Sequence, residues 1–417
     1  MRRDMSTRER YSVLSAGWLS PLSTDLAERL LRRLLRGLRH GCLHVETPSG
    51  RLVTIKAAEN GPEATIRLKT WSALRRTLAG GGLGFADAYI AGEWSSPDLP
   101  ALIEILAINA PHLGPTAGGG RLATFASRLR HRANENHRRG SRRNIAYHYD
   151  LGNEFYETWL DRGMQYSSAI YAEGDTLETA QQRKLDRITD WLGIGARESV
   201  LEIGFGWGAV AEKLAGLGCR VTGLTLSERQ LAFASDRLAK GGLAADLRLQ
   251  DYRDCTGTFD RIVSIEMIEA VGEKYWPLYF GGLRQRLAPG GRVVLQAITI
   301  DPGRFETYRR RPDFIQRHVF PGGMLPTVAI LEQRATEAGL KLVRSEPFGS
   351  SYAQTLAEWR ARFHDAWPTV ARLGFDERFR RLWDYYLAYC EGGFRAGSID
   401  VGLFEFRRQD DNSAPHA

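Results

Sequence analysis

The string Leu201-Glu202-Ile203-Gly204-Phe205-Gly206-Trp207-Gly208 carries the sharpest chemical signal in the chain. It closes an apolar run and opens a helical one. Glycines there let the backbone approach a ligand closely, and the helix start offers unpaired N–H groups. The string also reads as G-x-G-x-x-A, a dinucleotide fingerprint, which wants an acid roughly 20 residues on for a ribose. That place holds Leu224-Thr225-Leu226, with Glu228 already inside the next helix. An acid two residues before the first glycine, Glu202, followed by G-x-G-x-G, fits an S-adenosylmethionine loop instead. A tight turn without ligand is the bland alternative.

A second candidate is Glu269, just past the apolar run 259–267. The carboxyl ends of strands are where open α/β sheets place their ligands. A locally paired buried carboxylate is its plain reading. Taken singly, Tyr352 reads as a core or rim tyrosine, and Ser168 and Gln296 as polar fillers. His148 suits a satisfied buried hydrogen bond. Phe155, Tyr156 and Trp159 at helical spacing read as core or pocket wall, although aromatic faces can also stabilise a cation.

These residues need a scaffold, and the apolar patterning supplies one. Runs at 199–204, 219–226, 245–251, 259–267, 290–300 and 399–408 are strand-like, separated by helical segments such as 227–240, which Ser227 can cap. Strands alternating with helices predict a parallel, doubly wound α/β sheet. The stretch 301–345 reads as an insertion of the kind that builds substrate pockets. Before it all lies a small α+β unit, 1–108: an amphipathic helix over 24–40, short strands within 42–70, a helix near 71–79 and a glycine-rich turn. Residues 109–145 read as a basic linker or second basic helix, and 146–417 as the catalytic domain.

The chain has 417 residues with 57 Lys+Arg, 49 Asp+Glu and 43% hydrophobic residues, a composition that folds. The positive excess sits in residues 1–145, which hold 23 basic and 12 acidic residues. Such a block favours an anionic partner, nucleic acid or the face of a membrane. No apolar run reaches the roughly 18 residues of a membrane span, and the charged start lacks a secretory h-region. The four cysteines match no zinc or disulfide framework. The expectation is a reduced, cytoplasmic enzyme or binding protein without a metal.

Several blocks in order resemble one family over nearly the whole chain. They are Tyr147-His148-Tyr149-Asp150-Leu151-Gly152-Asn153, Met164-Gln165-Tyr166-Ser167-Ser168, the glycine loop, Gly223-Leu224-Thr225-Leu226-Ser227, Asp251-Tyr252-Arg253-Asp254, Phe320-Pro321-Gly322-Gly323 and Cys390-Glu391-Gly392-Gly393-Phe394-Arg395. The chain is similar to the cyclopropane-fatty-acyl-phospholipid synthases, which include the mycolic acid cyclopropane synthases. The stretch Gly84-Phe85-Ala86-Asp87-Ala88-Tyr89 resembles the family's accessory domain.

The resemblance implies a class I, Rossmann-like methyltransferase with a seven-stranded sheet and an N-terminal accessory domain. The implied reaction moves the methyl of S-adenosylmethionine to a cis double bond of a phospholipid acyl chain and closes a cyclopropane ring. By the same correspondence the cofactor contacts are Tyr166, Ser167, Gly204, Gly206, Thr225, Leu226, Gln230, Tyr252 and Ile265, to which the glycine loop itself adds Glu202 and Gly208. A bound bicarbonate is implied as the base that removes the proton, held at Ser168, Glu269, Gln296, Ile298 and Tyr352. Ser168 and Gln296 depart from the family's usual Cys and His, and Gln cannot carry charge. If the anion is not held, a methyl-branched, unsaturated chain is the other outcome. The implied setting is peripheral, at the inner face of an anionic membrane, without nucleic acid and with room for a homodimer. A methyltransferase for a small amine or phenol, a non-catalytic lipid binder and a nucleic-acid methyltransferase are the competing classes. No Asn-Pro-Pro-Tyr-type tetrad supports the last.

Overall fold

A computed structural model describes residues 24–113, 151–195 and 197–413. The expected basic linker therefore lies almost wholly outside the described residues, as does His148.

The first helix runs Thr24–Leu34 and gives way to a 3-10 turn, Leu35–Gly37, so it is shorter than the 24–40 expected from its stripe. Its exposed face carries Arg29, Arg32 and Arg33, while Ala27 and Leu31 are buried. A four-stranded sheet follows: β1 (His40–Glu46), β2 (Leu52–Lys56), β3 (Glu59–Leu68) and β4 (Trp94–Ser95), in the order β2-β1-β3-β4. Alternation along β1 turns Leu43 and Val45 inward, the two-residue period of a strand with one buried face. The predicted helix near 71–79 and the glycine turn after it are one helix, Ser72–Ile90, kinked at Gly81 (φ 60°). Beyond the kink Gly84 lies tight against the first half, where a Cβ would be 2.0 Å from the Arg76 carbonyl oxygen, so the close return of the chain requires glycine there. A further helix, Leu99–Asn109, is capped by Asp98.

This region is bound to the rest of the chain by polar contacts, one group buried and one half-exposed. The Tyr89 hydroxyl donates to Asp384, which also accepts from Arg360 and His364. Asp87 faces His318 at 3.1 Å and Arg317 at 3.4 Å.

The second sheet has seven strands: β5 (Ser199–Ile203), β6 (Arg220–Thr225), β7 (Asp246–Leu249), β8 (Phe259–Ile265), β9 (Leu287–Ile300), β10 (Leu340–Pro347) and β11 (Ile399–Arg408). Their order is β10-β11-β9-β8-β5-β6-β7, and only β11 runs antiparallel to its neighbours. Central strands are covered on both faces, so β5, β8 and β9 bury Val200, Leu201, Ile262, Val263, Val293 and Val294 in continuous runs. The stretch expected as an insertion holds three helices (Pro302–Arg310, Phe314–His318, Val328–Glu337) and also most of β10. That strand is the sheet edge, half exposed and interrupted by Lys341, Arg344, Ser345 and Glu346, which explains why no apolar run marked it.

Candidate active site

The strand order reverses between β8 and β6, with β5 in the middle. In a doubly wound sheet that switch point opens a crevice at the carboxyl ends of the strands. A cavity of about 1100 Å³ starts there and continues to the inner faces of β1 and β3.

The glycine loop forms one end. Gly204, Gly206 and Gly208 all take positive φ (83°, 55° and 89°). A Cβ on Gly204 would lie 2.5 Å from Met267, whereas one on Gly206 would meet no protein atom within 4 Å. The open side of Gly206 faces cavity space that a ligand can fill. Gly208 caps the helix Ala209–Gly216 and packs against Ala234, so unlike its neighbours it is not in the cavity wall. Glu202 is buried, and burial pushes its carboxyl up to about 8; its Oε2 has no partner. An orphaned carboxylate oxygen in this wall suits a ligand carrying positive charge.

The other expected cofactor contacts, Tyr166, Ser167, Thr225, Leu226, Gln230, Tyr252 and Ile265, line the same cavity. Ser227 caps the helix Glu228–Lys240 and so aims Gln230 back at β6, where the Thr225 hydroxyl donates to it at 2.8 Å. The Tyr166 hydroxyl meets that of Tyr386 at 2.7 Å, and Lys184 donates to the Ser167 hydroxyl at 2.8 Å. Burial brings the Lys184 ammonium down to about 8, opposed by Asp161 and Glu266.

The five residues expected around an anion also come together at the cavity, but three of their donors converge on a carboxylate of the chain, that of Glu266. Ser168 N–H and Gln296 Nε2 donate to Oε1 of Glu266 at 2.9 and 2.8 Å, and the Tyr352 hydroxyl donates to Oε2 at 2.7 Å. Ile298 N–H donates to Oε1 of Glu269 at 2.5 Å. Glu266 and Glu269 line the cavity, while Ser168 and Gln296 do not. The expected bicarbonate does not fit this arrangement, because protein carboxylates already hold its donors.

Glu266 was missed as a site residue, although it stands only three residues before Glu269. Its backbone is left-handed (φ 49°), a conformation rare outside glycine and asparagine. The turn swings its carboxylate off the end of β8 while its N–H stays bonded to the Gln296 carbonyl at 2.8 Å. The signal available in the sequence was the paired departure at Ser168 and Gln296, neutral donors suited to a resident carboxylate.

The two glutamates differ electrically. Burial and then the charge of Glu266 push Glu269 up to about 8, and its Oε2 has no partner. Burial raises Glu266 as well, but three hydrogen bonds and Lys184 favour its ionised form. Such a pair tends to keep one member neutral and one charged.

Phe155, Tyr156 and Trp159 are fully buried in an aromatic cluster with Trp359 and Trp383, and none lines the cavity. The aromatic wall is instead Tyr308, Phe320, Tyr352, Tyr386 and Phe394, with the Tyr352 and Phe394 rings 4.6 Å apart.

The family model described as mycolic acid cyclopropane synthetase matches residues 136–404. The chain belongs to this family. It is 38% identical over 397 residues to tuberculostearic acid methyltransferase UfaA1 of Mycobacterium tuberculosis, covering 92% of this chain and 91% of the relative. It is 35% identical over 358 residues to the cyclopropane-fatty-acyl-phospholipid synthase of Escherichia coli, covering 85% and 91%. Among solved structures, mycolic acid cyclopropane synthase CmaA1, complexed with SAH and CTAB, superposes with a TM-score of 0.60 at 28% identity over 64% of this chain and 98% of that one. Like other members of the cyclopropane synthetase family, this chain is an S-adenosylmethionine-dependent methyltransferase of the α/β class. The glycine loop, the orphaned Glu202 oxygen and the Thr225–Gln230 pair fit that cofactor, which supplies an electrophilic methyl when bound.

Proposed function

We propose that this enzyme transfers the methyl group of S-adenosylmethionine to the cis double bond of unsaturated phospholipid acyl chains and closes a cyclopropane ring. The observation that carries the reading is the continuity of the cavity. It runs from the glycine loop past Glu266 and Glu269 to an apolar wall of Leu31, Leu43, Val45, Ile66 and Leu102. A hydrocarbon chain fits such a wall, and its double bond can lie beside the carboxylates.

An isolated alkene is a weak nucleophile, so the protein must hold it in line and shield the cation that forms. Tyr352, Phe394 and Tyr386 offer aromatic faces for that purpose. In this reading residues 1–108 act as a lipid-associating accessory domain. The exposed Arg32, Arg33 and Arg36 favour the anionic inner face of a membrane. Among the described residues no helix is long and apolar enough to cross one.

A second reading is a methyl-branched, unsaturated product without ring closure. The specific observation favouring it is the 38% identity to tuberculostearic acid methyltransferase UfaA1. Both readings are tested by incubating the enzyme with S-adenosylmethionine and vesicles of cis-unsaturated phospholipid, then recording NMR spectra of the extracted chains. Upfield ring-methylene signals support cyclopropanation. Added methyl or methylene with no ring signal supports the branched product. No product from any such lipid overturns both.

A further inference from the structure

We propose that Glu266 is a resident proton acceptor, so that this enzyme completes its reaction without bicarbonate. The inference rests on the proposed methylation of an alkene. Its geometric basis is that Ser168 N–H, Gln296 Nε2 and the Tyr352 hydroxyl, three of the five contacts expected for the anion, converge on one carboxylate belonging to the chain. The fourth donor, Ile298 N–H, is held by Glu269. A free anion would have to displace Glu266 and then sit beside it, two like charges in an enclosed space.

The position also suits the task. Glu266 lines the cavity together with its donor Tyr352, while Ser168 and Gln296 do not, so the carboxylate stands between those two donors and the cavity space. The left-handed backbone at Glu266 is a local cost that the β8–β9 pairing sustains, and such strain is characteristic of functional positions. Buried Lys184 adds positive charge that favours the ionised Glu266, and Glu269 is pressed toward its neutral form.

The step balances without a further reactant. The alkene π pair forms a carbon–carbon bond to the methyl as the sulfur–methyl bond breaks and its pair stays on sulfur. A cation is left on the neighbouring carbon. A C–H bond of the transferred methyl then breaks, its electron pair closes the ring, and the proton passes to the Glu266 carboxylate. Loss of a proton from an adjacent chain carbon to the same carboxylate would leave an olefin instead.

The test has two arms. In the first, 13C-labelled bicarbonate is titrated into the enzyme saturated with S-adenosylhomocysteine and followed by NMR, for the wild type and Glu266→Ala. The expected result is no saturable binding by the wild type up to tens of millimolar, and binding gained by the variant. Saturable binding by the wild type overturns the inference whatever the lipid results are. In the second arm, turnover is measured in buffer sparged free of carbon dioxide. Wild-type rate should stay the same within about twofold. Glu266→Gln should lose about 100-fold or more with S-adenosylhomocysteine affinity and melting temperature retained, and added bicarbonate or formate should restore part of the Glu266→Ala rate. Wild-type loss on carbon dioxide removal, reversed by bicarbonate, overturns the inference, as does full activity of Glu266→Gln. Failure to turn over any lipid counts against the proposed function alone, because the first arm needs no lipid.

Discussion

Glu266 and Glu269 stand three residues apart at the end of β8, and the first accepts three hydrogen bonds from other residues where the second accepts one. Hydrogen bonds to the charged form favour ionisation, and burial opposes it. The asymmetry therefore assigns the charge to Glu266 and the proton to Glu269, whose carboxyl is pushed up to about 8.

That assignment has a stability signature. Glu269 holds its proton in the folded chain to about pH 8, while in the unfolded chain it ionises from its ordinary value of 4.5. The folded state binds more protons across that window, so stability falls as pH rises from about 5 to 8 and levels off above. Glu202, also pushed up to about 8, contributes in the same direction. Melting temperatures of Glu269→Gln between pH 5 and 8.5 should show a shallower decline than the wild type. An identical slope would mean that Glu269 titrates normally.

Gln296 tunes the charged member. Replacing it with Leu removes one donor from the ionised Glu266 and leaves the others in place. A hydrogen bond to a charged group is worth about 1.5–3 kcal/mol, which corresponds to roughly one to two pH units. The rising limb of the pH–kcat profile should therefore move upward by that amount. Lower kcat with an unmoved limb would show that Gln296 acts only through packing.

Gly206→Ala probes the cofactor loop. The added methyl meets no protein atom within 4 Å, so its folding cost comes mainly from the positive φ of 55°, about 1–2 kcal/mol. The same methyl enters the cavity space proposed for the cofactor. Affinity for S-adenosylhomocysteine by calorimetry should fall at least about tenfold, equivalent to about 1.4 kcal/mol. Unchanged affinity would place the cofactor elsewhere along the cavity.

Arg32, Arg33 and Arg36 are exposed, whereas Leu31, Leu34 and Leu35 of the same segment line the cavity. Changing the three arginines to Glu should weaken binding to anionic vesicles by at least about tenfold, since each basic residue contributes about 1 kcal/mol at such a surface. Co-sedimentation measures it. Unchanged binding with an intact fold would leave the segment a structural role only.

Asp384 ties the first sheet's region to the second. Burial alone would raise its carboxyl, but the His364 hydrogen bond and Arg360 hold it down to about 2. Its contribution is present above the ordinary value of 3.8 and is lost as pH falls toward 2. Asp384→Asn should lower stability by about 1–3 kcal/mol at neutral pH in denaturant unfolding. The deficit should shrink at low pH, and a deficit constant with pH would contradict the charge assignment.

The sequence was most legible where burial is complete. β5, β8 and β9 are apolar on both faces, so their runs announced them, and the glycine loop announced the crevice beside them. β10 was not legible, because an edge strand half in water carries Lys341, Arg344 and Glu346 where a central strand carries valine. The glycines after residue 79 were read as a turn, since one residue of positive φ at Gly81 cannot announce that helix resumes beyond it. Glu266 was hidden differently. Its type and place were visible, but its hydrogen bonds join residues 98, 30 and 86 positions away, which only the fold brings near.

The cavity wall drawn from Leu31, Leu43, Val45, Ile66 and Leu102 lies outside residues 136–404, which the family model matches. On the proposed function, the bond that is made and the hydrocarbon that is housed are written in separate stretches of polypeptide. Variation in the first stretch can retune which chains are admitted while the glutamates and the glycine loop stay fixed. An exchange of residues 24–113 between relatives would then transplant chain selection and leave the reaction as it was.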